Sequence, residues 1–273
     1  MSVSRHVPVV DGPPPRLEVR NPAGSVTLEA VESAEEIVVH VEPLDDAAEH
    51  LLDRVEVDVR EGGPDSPTRV RVTVPERRLL RTAAFAVRIS TPFGTAARVT
   101  VASADVELTG RFGDLELTSA SGDLDVAQGT DVHLRTASGD ARIGTVDGRA
   151  SVGTASGDVR IGRACGPLQL RTASGDVSVE QAVADVSIST ASGDATVGAA
   201  AAGAVQIKTV SGDTAVGVTP GLRVWLDLSS VSGRIDSQLD EGGPAADGPA
   251  ALTLALRSVS GDLRIHRTAV SVA

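Results

Sequence analysis

The chain has 273 residues, of which 41% are hydrophobic and only 1% aromatic, and its formal net charge is −12. This length suits one large domain or two ordinary ones. The acidic balance excludes a basic phosphate-binding face, so we predict no nucleic-acid partner. No apolar run approaches the roughly 18 residues of a membrane span, so we also predict no membrane insertion.

The N-terminal section predicts strands and one helix. The sequence PLDDAAEHLLDR (43–54) has helical periodicity, with Asp45 or Asp46 as the N-cap. The turn at 61–67 separates two alternating segments and predicts an antiparallel hairpin. Strands are predicted at 16–19, 25–28, 35–42, 55–59, 68–74 and 83–91. We therefore expect residues 1–95 to form a β-rich section with one short helix, contiguous with the part that follows.

A five-residue sequence then recurs at intervals near 18 residues. It reads SASGD at 119–123, TASGD in the following repeats, TVSGD at 209–213 and SVSGD at 258–262. We predict that its glycines are structural turns, because glycine tolerates a bend where a Cβ would clash. These glycines are Gly122, Gly139, Gly157, Gly175, Gly193, Gly212 and Gly261, and Gly233 aligns with them.

The residues around each glycine alternate between apolar and polar. The positions seven and five before it are aliphatic in every repeat, and a second alternating segment follows it. Each unit of about 18 residues thus holds two short strands and two corners, and stacking is needed to bury their apolar faces. The sequence predicts an all-β protein, a parallel β-solenoid (β-helix) flattened into a two-sheet roll over residues 96–273. The Gly/Pro-rich stretch 239–251 predicts an exposed, mobile loop.

Stacked coils bring the repeated aspartates into one line. A calcium site built from Asp140, Asp158, Asp176 and Asp194 is conceivable, but Ca²⁺ takes six to eight oxygens and each corner supplies one aspartate. We favour a structural role, in which the corner Ser and Asp side chains bind local backbone N–H groups. We predict no metal, no cofactor and no catalytic residue, since the histidines are scattered away from the serines.

Two single residues carry further expectations. Cys165 is the only cysteine, so no intramolecular disulfide is possible, and without an evident signal peptide we expect a cytoplasmic protein. Trp225 interrupts the repeat, and we favour a packing role for it over an exposed contact.

The chain resembles the DUF4097 family of β-strand-repeat proteins, many of which are labelled as candidate adhesins. The resemblance rests on LEVRNPAGSVTLEA (17–30), on VASADVELTGRFGDLELTSASGDLDV (101–126) and on the serial SGD corners. It implies a β-helical fold and an adhesin-like function, and it supplies no catalytic motif.

Two functions remain open from the sequence. The first is a non-catalytic structural or interaction protein that binds a protein partner or self-associates. The alternative is a β-helical carbohydrate-binding or carbohydrate-active protein, in which Arg135 and Arg171 could line a groove for an acidic glycan.

Overall fold

The computed structural model describes residues 2–9, 12–75, 83–239 and 251–268. The chain forms two compact units, an N-terminal unit (Met1–Arg142) and a C-terminal unit (Ile143–Ala273). The predicted boundary near residue 95, between a β-rich section with one helix and the solenoid repeats, stays a prediction. Residues 240–250 of the predicted loop lie outside the described residues.

The described residues of the N-terminal unit form twelve strands, one helix and one 3₁₀ turn. The strands are β1 (Val3–Pro8), β2 (Arg16–Asn21), β3 (Gly24–Val31), β4 (Glu36–Pro43), β5 (Glu56–Arg60), β6 (Arg69–Thr73), β7 (Phe85–Pro92), β8 (Ala96–Val101), β9 (Asp105–Phe112), β10 (Leu115–Ser119), β11 (Leu124–Gly129) and β12 (Val132–Thr136). They form two sheets, in the orders β1-β4-β7-β3-β9-β11 and β12-β10-β8-β2-β6-β5. Among the described residues of this unit, the pairs β1/β4, β4/β7 and β5/β6 are antiparallel, and the remaining strand pairs are parallel.

The predicted helix forms in a shorter version than the sequence suggested. Helix α1 (Asp46–Glu49) begins after Asp45, whose carboxylate accepts a hydrogen bond from the Ala48 N–H at 2.7 Å. A separate 3₁₀ turn (Leu52–Arg54) follows. An apolar helical face of Leu44, Ala48, Leu51 and Leu52 was expected. Ala48, Leu51 and Leu52 are buried, but Leu44 lies before the helix and is exposed, so the expectation is wrong for Leu44. The predicted hairpin is confirmed as β5/β6.

The C-terminal unit consists of strands alone among its described residues. β13 (Ala141–Val146) begins at the division between the units, and it is followed by β14 (Ala150–Thr154), β15 (Val159–Ala164), β16 (Leu168–Ser174), β17 (Val177–Ala182), β18 (Val186–Ser192), β19 (Ala195–Ala200), β20 (Gly203–Ser211), β21 (Thr214–Val218), β22 (Val224–Ser232), β23 (Ile235–Ser237), β24 (Leu252–Ser260) and β25 (Leu263–Arg267). The sheets run β15-β17-β19-β21-β25-β23 and β14-β16-β18-β20-β24-β22, with parallel pairing.

Residues at the same repeat position face each other across neighbouring strands. Leu168 of β16 lies opposite Ala150 of β14 and Val186 of β18, and all three are buried. The residue between two inward positions, such as Gln169, points outward and is exposed. Hydrophobic burial therefore fixes the register, because a one-residue slip would turn each apolar side chain outward. The solenoid predicted from the sequence is confirmed.

The last coils do not stack in chain order. We call residues 252–267 the inserted coil and residues 224–237 the terminal coil. β24 pairs with β20 on one side and β22 on the other, and β25 lies between β21 and β23. The expectation that successive corners stack is therefore wrong for the last two corners.

Apolar burial explains this exchange of order. Leu254 and Leu256 of the inserted coil are fully buried, whereas Leu226 and Leu228 of the terminal coil are half-buried. Ser237 of the terminal coil occupies the position that Ile265 fills in the inserted coil. A coil with neighbours on both sides buries all its inward residues, so the more apolar coil lies inside and the less apolar coil lies at the end.

Candidate functional site

The repeated glycines form a column within each unit. A Cβ at Gly175 would overlap the carbonyl oxygen of Gly157, the equivalent glycine one coil earlier. Gly175 also has a φ of +146°, where L-residues are strained. The same overlap recurs along Gly193, Gly212, Gly261 and Gly233, and at Gly122 and Gly139 in the N-terminal unit. These corners have no room for any other residue.

The aspartates after the glycines form a second column, joined by hydrogen bonds between coils. Seven carboxylates each accept the backbone N–H of the equivalent residue one coil further on, at 2.7 to 3.1 Å: those of Asp105, Asp123, Asp158, Asp176, Asp194, Asp213 and Asp262. The members are Asp105, Asp123 and Asp140 in the N-terminal unit, and Asp158, Asp176, Asp194, Asp213, Asp262 and finally Arg234 in the C-terminal unit. The bonds thus run between coils, whereas the sequence suggested bonds within one corner.

The conceivable metal ligands Asp140, Asp158, Asp176 and Asp194 all belong to these columns. Among the described residues, no group of three or more His, Cys, Asp and Glu side chains could hold a metal ion. We assign the aspartates a structural role as a proposal, and we test it below.

A third column was missed from the sequence. The residue three before each glycine, Ser or Thr, is buried at most corners. The hydroxyls of Ser119, Thr136 and Thr154 accept the N–H of the glycine in their own corner at 2.9 to 3.1 Å. At Gly175, Gly193, Gly212 and Gly261 the glycine N–H instead donates to a serine carbonyl in the neighbouring coil, as from Gly175 to Ser192 at 3.1 Å. The recurrent T of TASGD was the available signal.

Two of the histidines, His6 and His40, contact glutamates. His6 lies 3.3 Å from Glu36, and His40 lies 2.9 Å from Glu42. The hydrogen bond to His40 and a second one from Arg88 hold the pKa of Glu42 below its ordinary value. In the part of the chain that the structure describes, no corner serine hydrogen-bonds to a histidine.

A shallow groove lies on the outer face of the C-terminal unit. Its volume is about 350 Å³, and its polar lining includes Arg149, Ser151, Gln169, Asp185, Ser187 and Gln206. Asp185 is already engaged, because its carboxylate accepts the N–H of Ala204 at 2.9 Å. The groove offers amide and hydroxyl groups at successive coils. Of the two arginines suggested for a glycan groove, Arg171 is not in its lining and Arg135 belongs to the other unit.

The terminal coil presents a free strand edge. In earlier coils the residue seven before the glycine donates its N–H to the following coil, as Leu168 does to Asp185 at 2.9 Å. The equivalent residue of the terminal coil is Leu226, and no described strand lies beyond β22. In a parallel ladder alternate residues point to the same side, so the N–H groups of Leu226 and Leu228 both face outward.

Apolar side chains are exposed along this edge. Trp225 is 54% exposed and Val231 is 80% exposed, so the expected packing role of Trp225 is wrong. The last three corners also carry valine where TASGD has alanine. Val210, Val259 and Val231 stack on neighbouring strands, and all are at least half exposed.

Two other outermost strands, β5 and β1, are better protected. β5 exposes Glu56, Asp58 and Arg60, and β1 exposes Arg5 and Pro8. Charged residues and proline on an edge oppose pairing with another chain. β22 contains a single charged residue, Asp227. We therefore take the outward side of β22 as the candidate functional site, and we call it the free edge.

Comparison with known proteins places the chain in a family. The profile described as Toastrack DUF4097 matches residues 66–266. The chain belongs to the DUF4097 family. No curated protein matches it. None of the helices in the described ranges is long and apolar enough to cross a membrane.

Solved structures similar to this DUF4097 protein are distant in sequence. A candidate adhesin from Bacteroides fragilis is 13% identical, with 98% of this chain and 97% of that chain covered and a TM-score of 0.47. A candidate lipid-binding protein from Parabacteroides distasonis is 12% identical, with the same coverage and a TM-score of 0.49. A candidate adhesin from the same species is 10% identical, with 97% of each chain covered and a TM-score of 0.46.

Proposed function

We propose that this DUF4097 protein is a non-catalytic interaction protein that binds an extended protein strand at the free edge of its terminal coil. The proposal is supported by one observation above the others: β22 presents outward N–H groups at Leu226 and Leu228 beside the exposed Trp225. A strand added to an open sheet edge gains main-chain hydrogen bonds, while side-chain contacts set its specificity.

The exposed side chains suit such an interface. Tryptophan is enriched among the residues that contribute most to protein–protein affinity. Trp225 and Val231 lie toward opposite ends of β22, so a bound strand would meet an apolar contact near each end. Some of the similar solved structures are described as candidate adhesins, and an adhesin binds another molecule. A second copy of the chain and a different protein would both satisfy this proposal.

Two substitutions at one position test the proposal. Leu226→Pro removes the outward N–H without removing a bond to β24, whereas Leu226→Ala shortens the side chain and keeps the N–H. We expect the proline variant to lose association in native co-purification and in sedimentation, and the alanine variant to keep most of it. Circular dichroism and thermal unfolding would verify that both variants fold. If both variants associate like the parent chain, the free edge is not the binding site.

The outer groove supports a second candidate, carbohydrate binding. Gln169 and Gln206 lie on the same face in nearby coils and could bind successive sugar hydroxyls. Glycan-array screening followed by calorimetry tests this candidate. It predicts that Gln206→Ala abolishes glycan binding while Leu226→Pro leaves it intact. No binding to any glycan of the array would reject it.

A further inference from the structure

We propose that the strand bound at the free edge is β22 of a second copy of this chain. The two β22 strands pair antiparallel about a two-fold axis, with Leu228 of one copy opposite Leu228 of the other. This inference rests on the proposed function, since it names the partner that occupies the same edge. It follows from the side-chain pattern of β22, the direction of its N–H groups and the way the aspartate column ends.

The side-chain pattern of β22 is complementary to itself. With Leu228 on the axis, Trp225 faces Val231 of the other copy, and the symmetry repeats this contact. Both residues lie on the outer face of the sheet, because they are separated by an even number of positions. They are the two most exposed hydrophobic residues of the strand, at 54% and 80%. An aromatic residue opposite a β-branched residue is a favourable cross-strand pair.

The inward face agrees with the same register. Leu228 is half-buried at the open end of the core, and its counterpart would extend that core across the axis. Leu226 would face Ser230, and Asp227 would face Ser229, so no like charges meet within β22. The remaining apolar exposure of the terminal coil would decrease without burying an unpaired charge.

Neighbouring registers fit less well. An axis at Asp227 sets two carboxylates opposite each other, which is destabilising. An axis at Ser229 sets Asp227 against Val231 and leaves Trp225 opposite Gly233. An axis between two residues would set inward side chains against outward ones, which a continuous sheet does not allow.

The hydrogen-bonding groups also match. Leu168 and its equivalents show that this repeat position directs its N–H toward the next coil. Leu226 is the equivalent residue of the terminal coil, and Leu228, two residues further on, points its N–H and C=O to the same side. Two Leu228 residues on the axis can therefore exchange both hydrogen bonds. The antiparallel pair thus satisfies the groups that the terminal coil leaves open.

The end of the aspartate column disfavours further parallel stacking. Asp262 accepts the N–H of Arg234 at 2.7 Å, so Arg234 occupies the position of an aspartate in the last coil. A further parallel coil would find no carboxylate at this position to accept its N–H. Antiparallel pairing does not use this column, so it closes as a dimer instead of continuing as a filament.

A cysteine scan at the axis tests the inference with purified protein. In a Cys165→Ser background, Asp227→Cys, Leu228→Cys and Ser229→Cys are each oxidised mildly and examined for covalent dimers. Paired residues across the axis are close enough for a disulfide, whereas residues off the axis face a different residue. We expect a covalent dimer for Leu228→Cys and little for its two neighbours. Preferred cross-linking at Asp227 or Ser229 would overturn the register.

Sedimentation separates this inference from the function on which it rests. We expect the parent chain to dimerise with rising concentration, its Trp225 fluorescence to shift to the blue, and Trp225→Ala to weaken dimerisation without lowering the melting temperature of dilute, monomeric protein. A parent chain that stays monomeric throughout would overturn the inference. The proposed function would then still stand if Leu226→Pro lost a cellular partner, and it would fail as well if that variant lost nothing.

Discussion

The carboxylate of Asp176 accepts the backbone N–H of Asp194, one coil further along the C-terminal unit, at 2.9 Å. Asp194 makes the same contact with Asp213 at 2.8 Å. Asp194 is therefore both donor and acceptor in one column, which runs beside the hydrogen bonds of the strands. A side chain that needs only to accept a hydrogen bond does not need its charge, and this distinction can be measured.

Asp176→Ala should destabilise the C-terminal unit by about 1–2 kcal/mol, because the N–H of Asp194 loses its protein acceptor. Asp176→Asn keeps the acceptor oxygen and removes a carboxylate from a line of like charges, so it should be close to neutral. Urea unfolding with and without Ca²⁺ measures both. An Asn variant as unstable as the Ala variant, or stabilisation of the parent by Ca²⁺, would favour a bound cation instead.

Gly175→Ala should lower the free energy of unfolding by about 2–3 kcal/mol, because the new Cβ overlaps the Gly157 carbonyl and because Gly175 has a positive φ. The matched control is Gly153→Ala in β14. Nothing lies within 4 Å of a Cβ at Gly153, so this variant should be neutral or slightly more stable. Thermal unfolding of the pair distinguishes a steric requirement from a general effect of the substitution. Equal effects at the two sites would contradict the glycine column.

The buried threonines of two neighbouring corners should respond in opposite directions. Thr154 accepts the Gly157 N–H at 3.0 Å, so Thr154→Val should cost about 1–3 kcal/mol. The hydroxyl of Thr172 is buried and has no hydrogen-bond partner among the described residues, so Thr172→Val should be neutral or stabilising. Denaturant unfolding compares them directly. If Thr172→Val lowered the free energy of unfolding more than Thr154→Val, the hydrogen bonds assigned to these two threonines would be wrong.

The order of the last coils predicts that the same Leu→Ala substitution lowers the free energy of unfolding by different amounts in the two coils. Leu254→Ala in the inserted coil should cost about 3 kcal/mol, because Leu254 is fully buried. Leu226→Ala, at the same repeat position of the terminal coil, should cost about 1 kcal/mol, because that coil has a neighbour on one side only. Chemical denaturation measures both. The reverse order would indicate that the coils stack in chain order.

Much of the fold could be predicted because the alternation of apolar and polar residues within each strand determines which side chains point inward. An alternating segment with Leu168 and Leu170 inward and Gln169 outward leaves one arrangement that buries the apolar pair. Repetition of that segment then fixes the parallel stacking. The helix near Asp45 and the β5/β6 hairpin followed from capping and turn residues in the same way.

The order of the last coils could not be predicted, because it depends on a comparison between coils. Leu226 and Leu254 have the same repeat position and the same side chain, and only stacking decides which is covered. Arg234 in place of aspartate and the exposed Trp225 identify the terminal coil once the structure is known. The aspartate bonds were expected within a corner, and only the distance between coils shows that they join neighbouring corners.

Hydrogen exchange at the amides of β22 tests the central claim most directly. The account predicts that Leu226 and Leu228 exchange rapidly in dilute protein and become protected as concentration rises, while Leu254 and Leu256 of the inserted coil stay protected throughout. Full protection of Leu226 and Leu228 at the lowest concentration would contradict it, because the edge would then be covered within a single chain.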